Sequence, residues 1–179
     1  MKLIILDQTG VINQSSGTFI KTPDEWIAIP GSLEAIARLT HAGYRVVIAT
    51  NQSGIGRGLL DMATYNAIND KMYKAVHLAG GRIDAIFFCP HTNADKCSCR
   101  KPATGLFGEI MQRYGVNLKN IPAVGDSLKD LQAAAAIGAI PMLVLTGNGE
   151  TTRAAQEIPA HTQIFANLAA VADALAGEE

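Results

Sequence analysis

Short, β-rich apolar runs alternate along the chain with longer stretches whose apolar residues recur at three- and four-residue intervals. The runs KLIIL (2–6), YRVVIA (44–49), DAIFF (84–88), IPAVG (121–125) and IPMLVL (140–145) are predicted as strands, with a further short one at 163–165. The spacing between them predicts helices over 32–41, 62–78, 105–114, 128–137 and 167–175. Such alternation specifies βαβ units and so an α/β protein: an open, mostly parallel sheet with helices on both faces, binding ligands at the carboxyl ends of its strands. Two segments fall outside the pattern. Residues 89–104 form an irregular insertion, and GNGETTRAAQEIPAH reads as a surface connection before the last strand.

Size and charge narrow the role. The 179 residues, 48% hydrophobic and 17% charged, suffice for one globular domain spanning 1–179 with a substantial core. A formal net charge of -1 gives none of the basic surplus of nucleic-acid binders or polybasic membrane proteins. LIIL is too short for the core of a signal peptide, and no apolar stretch approaches roughly 18 residues. These features predict a cytoplasmic monomer acting on a small molecule, with no nucleic-acid or membrane partner.

The strand ends carry the polar chemistry. Asp7 closes the first run and is followed by Gln8, Thr9 and Gly10; its carboxylate either meets substrate or caps a turn with Gly10. The second strand delivers Thr50, Asn51, Gln52 and Ser53 into a loop with Gly54, Gly56, Arg57 and Gly58. Its hydroxyl, amide and backbone N–H groups suit an anion, although such glycines also serve steric ends. In CRKP, Arg100 and Lys101 supply positive charge, and Pro102 biases Lys101 towards extended geometry. GDSLKD places Asp126 directly after a strand and Asp130 one helical turn on, where simple helix capping is the alternative role. Together, two strand-end carboxylates, a hydroxyl-bearing loop and a lysine could form a phosphate and magnesium site in this topology.

All three cysteines of the chain fall within one loop, where Cys89, His91, Cys97 and Cys99 supply four sulfur and nitrogen ligands. That set suits tetrahedral Zn2+ with no open position, hence a structural zinc. An odd number of cysteines argues against a disulfide framework.

The order DQTGV, ATNQSG, CRKP, GDSLKD resembles that of the haloacid dehalogenase (HAD) superfamily of phosphohydrolases over nearly the whole chain. TNQSGIGRG, CPH, CSCRKP and GDSLKDLQAA narrow the resemblance to its histidinol-phosphatase-like branch. It implies a HAD-like Rossmannoid sheet without a large cap domain, carrying a zinc-loop insertion at 89–104. It also implies a Mg2+-dependent phosphomonoester hydrolase acting on a small phosphorylated sugar: a heptose 1,7-bisphosphate losing its 7-phosphate, or alternatively histidinol phosphate. In that pattern Asp7 attacks phosphorus to form an aspartyl-phosphate, while Asp7, Asp126 and the main-chain carbonyl of Thr9 hold Mg2+. Thr50 and Lys101 bind the transferring phosphoryl group. Arg100 neutralises substrate charge beside Lys101, and Asn51, Gln52, Ser53 and Arg57 outline the pocket entrance.

One residue breaks the pattern. The superfamily's phosphatases carry a second aspartate two residues after the nucleophile, where this chain has Thr9, and Gln8 replaces a common arginine. The missing carboxyl protonates the leaving oxygen and then activates water, and a threonine hydroxyl titrates far too high to do either. Three readings follow: a phosphatase that works slowly or recruits another acid, a phosphotransferase or long-lived phospho-enzyme, and a catalytically impaired sugar-phosphate-binding homologue or variant. KPATG also lacks a second proline common in relatives, which touches loop geometry and no catalytic group.

Overall fold

The computed structural model describes residues 1–177. Strands β1 (Lys2–Leu6), β2 (Tyr44–Asn51), β3 (Ala85–Cys89), β4 (Pro122–Gly125), β5 (Ile140–Val144) and β6 (Gln163–Phe165) form one parallel sheet in the order β3-β2-β1-β4-β5-β6. The helices are α1 (Ser32–His41), α2 (Ser53–Gly56), α3 (Met62–Leu78), α4 (Gly105–Tyr114), α5 (Leu128–Ala136), α6 (Gly149–Ala154) and α7 (Leu168–Ala176).

Because successive strand side chains point to opposite faces, β1 is buried twice over. Ile4 and Leu6 pack with Val46 and Ile48 against α1, α3 and α7, through Ile36, Leu39, Met72 and Val171. Leu3 and Ile5 pack with Val47 and Ala49 against α4 and α5, through Leu106, Ile110 and Ala134. Helices on both faces bury the central strands on both sides, which is why these read as continuous apolar runs.

Three helix ends shift by a residue from the predicted bounds, α7 also running on to Ala176. Asn167 lies outside α7 as its N-cap, its side chain accepting the Ala170 N–H at 2.9 Å. Ile137 terminates α5. The larger difference is α6, which occupies the stretch read as a surface connection. Its Gly149 and Thr152 are buried, because the turn before it folds back onto the strand ends.

Chain direction across the sheet reverses between β1 and β4, and at this switch point loops diverge to leave a crevice at the strand carboxyl ends. The connection from β3 to α4 carries the cysteines and is too short for a cap domain. No described helix is long and apolar enough to cross a membrane.

Candidate active site

The Asp7 N–H donates to the Val124 carbonyl at 2.9 Å, which seats Asp7 beside the end of β4 just before Asp126. One carboxylate oxygen from each of Asp7, Asp126 and Asp130 lies within 4.8 Å of the others. Burial, reinforced by Asp130, pushes the Asp7 carboxyl up to about 6 against the pull of Lys101. Burial, with the charges of Asp7 and Asp130, pushes Asp126 up to about 8. Acids held this close lack positive charge, and a hard divalent cation with oxygen ligands fits the deficit. Gly10 is required for the approach. At φ +89, a Cβ there would stand 2.0 Å from Asp126 Oδ2.

Lys101 supplies part of the missing charge from below. Only 3% exposed, its Nζ donates to Asp130 Oδ1 at 2.5 Å, to the Ala49 carbonyl at 2.7 Å and to Asp7 Oδ1 at 3.3 Å. Desolvation opposes its charge, but Asp130 and Asp7 outweigh that and hold its pKa above the ordinary lysine value. The other oxygen of Asp130 accepts from the Ser127 hydroxyl at 2.9 Å, the Ser127 N–H at 3.1 Å and the Asp126 N–H at 3.2 Å. Asp130 therefore caps α5, as a helix-start acid should, and at the same time anchors Lys101.

Asn51 reaches fifty residues along the chain. Its Oδ1 accepts the Lys101 N–H at 2.9 Å and its Nδ2 donates to the Lys101 carbonyl at 3.1 Å. The reciprocal pair fixes the main chain that aims Lys101. Thr50 is buried beside Asp7 and accepts from Gln52 Nε2 at 3.3 Å. Ser53 is buried in α2, while Arg57 is exposed with its guanidinium 5.7 Å from the Phe19 ring. The neighbouring glycines serve packing more than anion cradling. A Cβ on Gly56 would meet the Pro90 carbonyl at 2.4 Å, and the Gly56 N–H is already donated to that carbonyl.

Asp126 has supports that sequence reasoning missed. Asn148 donates its N–H to Asp126 Oδ2 at 2.9 Å, Thr152 its hydroxyl to the Asp126 carbonyl at 2.7 Å, and Thr146 its hydroxyl to the Gly10 carbonyl at 2.6 Å. Gly147 sits between, where a Cβ would come 2.3 Å from Asp126 Oδ2. The one sequence signal was the GNG triplet, whose glycines mark a close approach.

On the other side of Asp7 lies a pocket of about 200 Å³ bounded by Thr9, Asn13, Phe19, Trp26, Gln52 and Tyr65, among others. The Thr9 hydroxyl accepts from Asn13 Nδ2 at 3.3 Å. Gln8 is buried, donating to Asn69 at 2.8 Å and accepting from Gln52 at 3.2 Å and the Tyr65 hydroxyl at 3.3 Å. No carboxylate or histidine lines this pocket among the described residues, and burial raises the Tyr65 pKa well above the ordinary tyrosine value. The acid absent at position 9 has no replacement here.

Cys89, His91, Cys97 and Cys99 converge as a second cluster. Neighbouring Sγ atoms stand 3.6 Å apart, and His91 Nδ1 lies 3.6 Å from Cys89 Sγ and 3.3 Å from Cys99 Sγ. Tetrahedral zinc with Zn–S near 2.3 Å separates its ligand atoms by about 3.5–3.8 Å. All three thiols are free, so the cluster fits a metal and not a disulfide.

A sequence-family model described as HAD-hydrolase-like matches residues 98–171. Over 178 residues the chain is 59% identical to D-glycero-beta-D-manno-heptose-1,7-bisphosphate 7-phosphatase of Bordetella bronchiseptica, covering 99% of both chains. The crystal structure of the D,D-heptose 1,7-bisphosphate phosphatase from B. bronchiseptica complexed with magnesium and phosphate superimposes with a TM-score of 0.98, over 100% of both chains. That of the D,D-heptose 1,7-bisphosphate phosphatase from Burkholderia thailandensis, 49% identical, gives 0.80 over 99% of this chain and 100% of that one. Identity of this order along the whole length, with a matching fold, means that the chain belongs to the D-glycero-beta-D-manno-heptose-1,7-bisphosphate 7-phosphatase family of HAD-like hydrolases.

Proposed function

We propose that this chain removes the 7-phosphate of D-glycero-beta-D-manno-heptose 1,7-bisphosphate by two-step phosphoryl transfer through Asp7, in the cytoplasm and as a monomer. The observation that carries this reading is the pairing of Asp7 with a buried Lys101 next to Asp126, in a chain 59% identical to an enzyme of that name. Asp7 presents the nucleophilic oxygen. Lys101 and the Thr50 hydroxyl would bind the transferring phosphoryl oxygens, with Asp130 and Asn51 keeping Lys101 aimed. Asp7, Asp126 and the Thr9 carbonyl would hold Mg2+, which when bound supplies Lewis-acid neutralisation of phosphoryl charge. Cys89, His91, Cys97 and Cys99 would hold a structural Zn2+ that fixes the loop leading to Arg100 and Lys101.

Thr9 favours a second reading, a sugar-phosphate-binding homologue of low turnover, because the proton for the leaving alkoxide has no donor in the adjoining pocket. Phosphate release from a panel of sugar bisphosphates and histidinol phosphate with Mg2+, run beside Thr9→Asp, separates the two. Preferential turnover of the heptose bisphosphate supports the first. Binding with little turnover in the wild type, and turnover appearing in Thr9→Asp, supports the second.

A further inference from the structure

Two adjacent cations end the cysteine loop, and they are used differently. The Lys101 head group faces inward, onto Asp7, Asp130 and the Ala49 carbonyl. Arg100 stays at the surface, where with Lys96, Thr92, Asn93 and Pro102 it lines a depression of about 120 Å³. Among the described residues its guanidinium is held from one side only. Nε donates to Asn93 Oδ1 at 2.7 Å and Nη1 reaches the His91 carbonyl at 3.4 Å. Asn93 is itself fixed at the start of a short 3-10 turn (Asn93–Asp95), where Asp95 Oδ2 accepts the Thr92 N–H at 2.7 Å and the Thr92 hydroxyl at 3.1 Å.

An arginine recognises phosphate through the plane of its fork, so whatever fixes that plane decides whether the outer nitrogens meet the anion. A neutral acceptor at Nε orients the fork without cancelling its charge, as an aspartate would. The Nη2 hydrogens remain available. On the functional reading above, on which this inference rests, the substrate carries two phosphates and the Asp7 site takes one. We infer that Asn93 is a positioning residue that holds Arg100 for the phosphate that is retained.

Wild type, Asn93→Ala, Arg100→Ala and the double variant, assayed on heptose 1,7-bisphosphate and on 4-nitrophenyl phosphate, test this. A charge-assisted hydrogen bond near the surface sets the scale, so each single replacement should raise KM for the bisphosphate about 5- to 10-fold with kcat little changed. KM for 4-nitrophenyl phosphate, which has no second phosphate, should stay where it was. The double variant should be no worse than Arg100→Ala. Additive effects, an equal KM rise on both substrates or an unmoved KM would overturn the inference.

The Arg100 Nε–H resonance checks the positioning without substrate: slow exchange in the wild type and fast exchange in Asn93→Ala are expected, and equal exchange overturns it. A wild type that neither binds nor hydrolyses the bisphosphate would instead overturn the functional reading, whatever that resonance shows.

Discussion

The two flanks of Asp7 are built on opposite principles. Towards β4 the side chain meets Lys101, Asp126 and Asp130, titratable groups linked through the Lys101 ammonium and by close approach of their carboxylates. Beyond Thr9 the neighbouring pocket presents amides, hydroxyls and aromatic rings, with no carboxylate or histidine among the described residues lining it. The first flank can stabilise a phosphoryl group in transfer, which is an electrostatic task. The second offers no carboxylate or imidazole, among the described lining residues, to move a proton. The chain thus separates the two halves of phosphatase chemistry, and variants on each flank should fail or gain in different ways.

The largest effect is expected at the centre. Asp7→Asn removes the nucleophile and one cation-binding charge together, so turnover of the best substrate should drop by about 10⁴-fold or more. Retention within about tenfold, measured in a folded and metal-loaded protein, would rule out covalent transfer through Asp7.

Next comes the uncharged flank. Thr9→Asp should raise turnover of sugar phosphates by about 10²–10⁴-fold with little change in KM, the usual worth of a positioned acid and base. The gain should be small on aryl phosphates, whose phenolate leaves without a proton. Equal gains on both ester types, or none on either, would show that Thr9 does not stand in for a lost acid.

The charged flank was far more legible in the sequence than the contacts that hold it. Asp7 and Asp126 stand out because each ends an apolar run, and strand ends are local facts. Asn51 was read as a pocket residue, whereas its amide is spent on the main chain of Lys101, fifty residues away. Thr146, Asn148 and Thr152 were invisible for the same reason: their partners lie 22 to 136 residues distant, and only the sheet order brings them together. The cysteine cluster is the converse case. Its four ligands lie within one loop, so spacing alone sufficed.

A smaller loss is expected when the aiming of Lys101 is disturbed while its charge is kept. Asn51→Ala deletes two hydrogen bonds to the Lys101 backbone, and turnover should fall about tenfold without loss of fold, since Asp130 still holds the ammonium. A fall as large as that of Lys101→Ala would mean that Asn51 touches substrate directly.

The least dramatic measurement concerns the acids before any cation binds. An acid whose folded pKa is raised destabilises the fold once pH climbs above its unfolded value, because the folded state then binds more protons than the unfolded one. Asp126, raised from 3.8 to about 8, and Asp7, raised from 3.8 to about 6, should make the metal-free protein progressively less stable from about pH 4 to pH 8. A divalent cation that binds these carboxylates must displace their protons, so it binds harder as pH rises and relieves the same repulsion. The rise in Tm on adding saturating Mg2+ should therefore be larger at pH 8 than at pH 6. Asp126→Asn should weaken that pH dependence, leaving only the part due to Asp7, and raise the Tm of the metal-free protein at pH 8, because an amide keeps the shape while removing the buried charge. A Mg2+ shift that is flat between pH 6 and pH 8 would mean that the clustered carboxylates are not the groups a cation relieves.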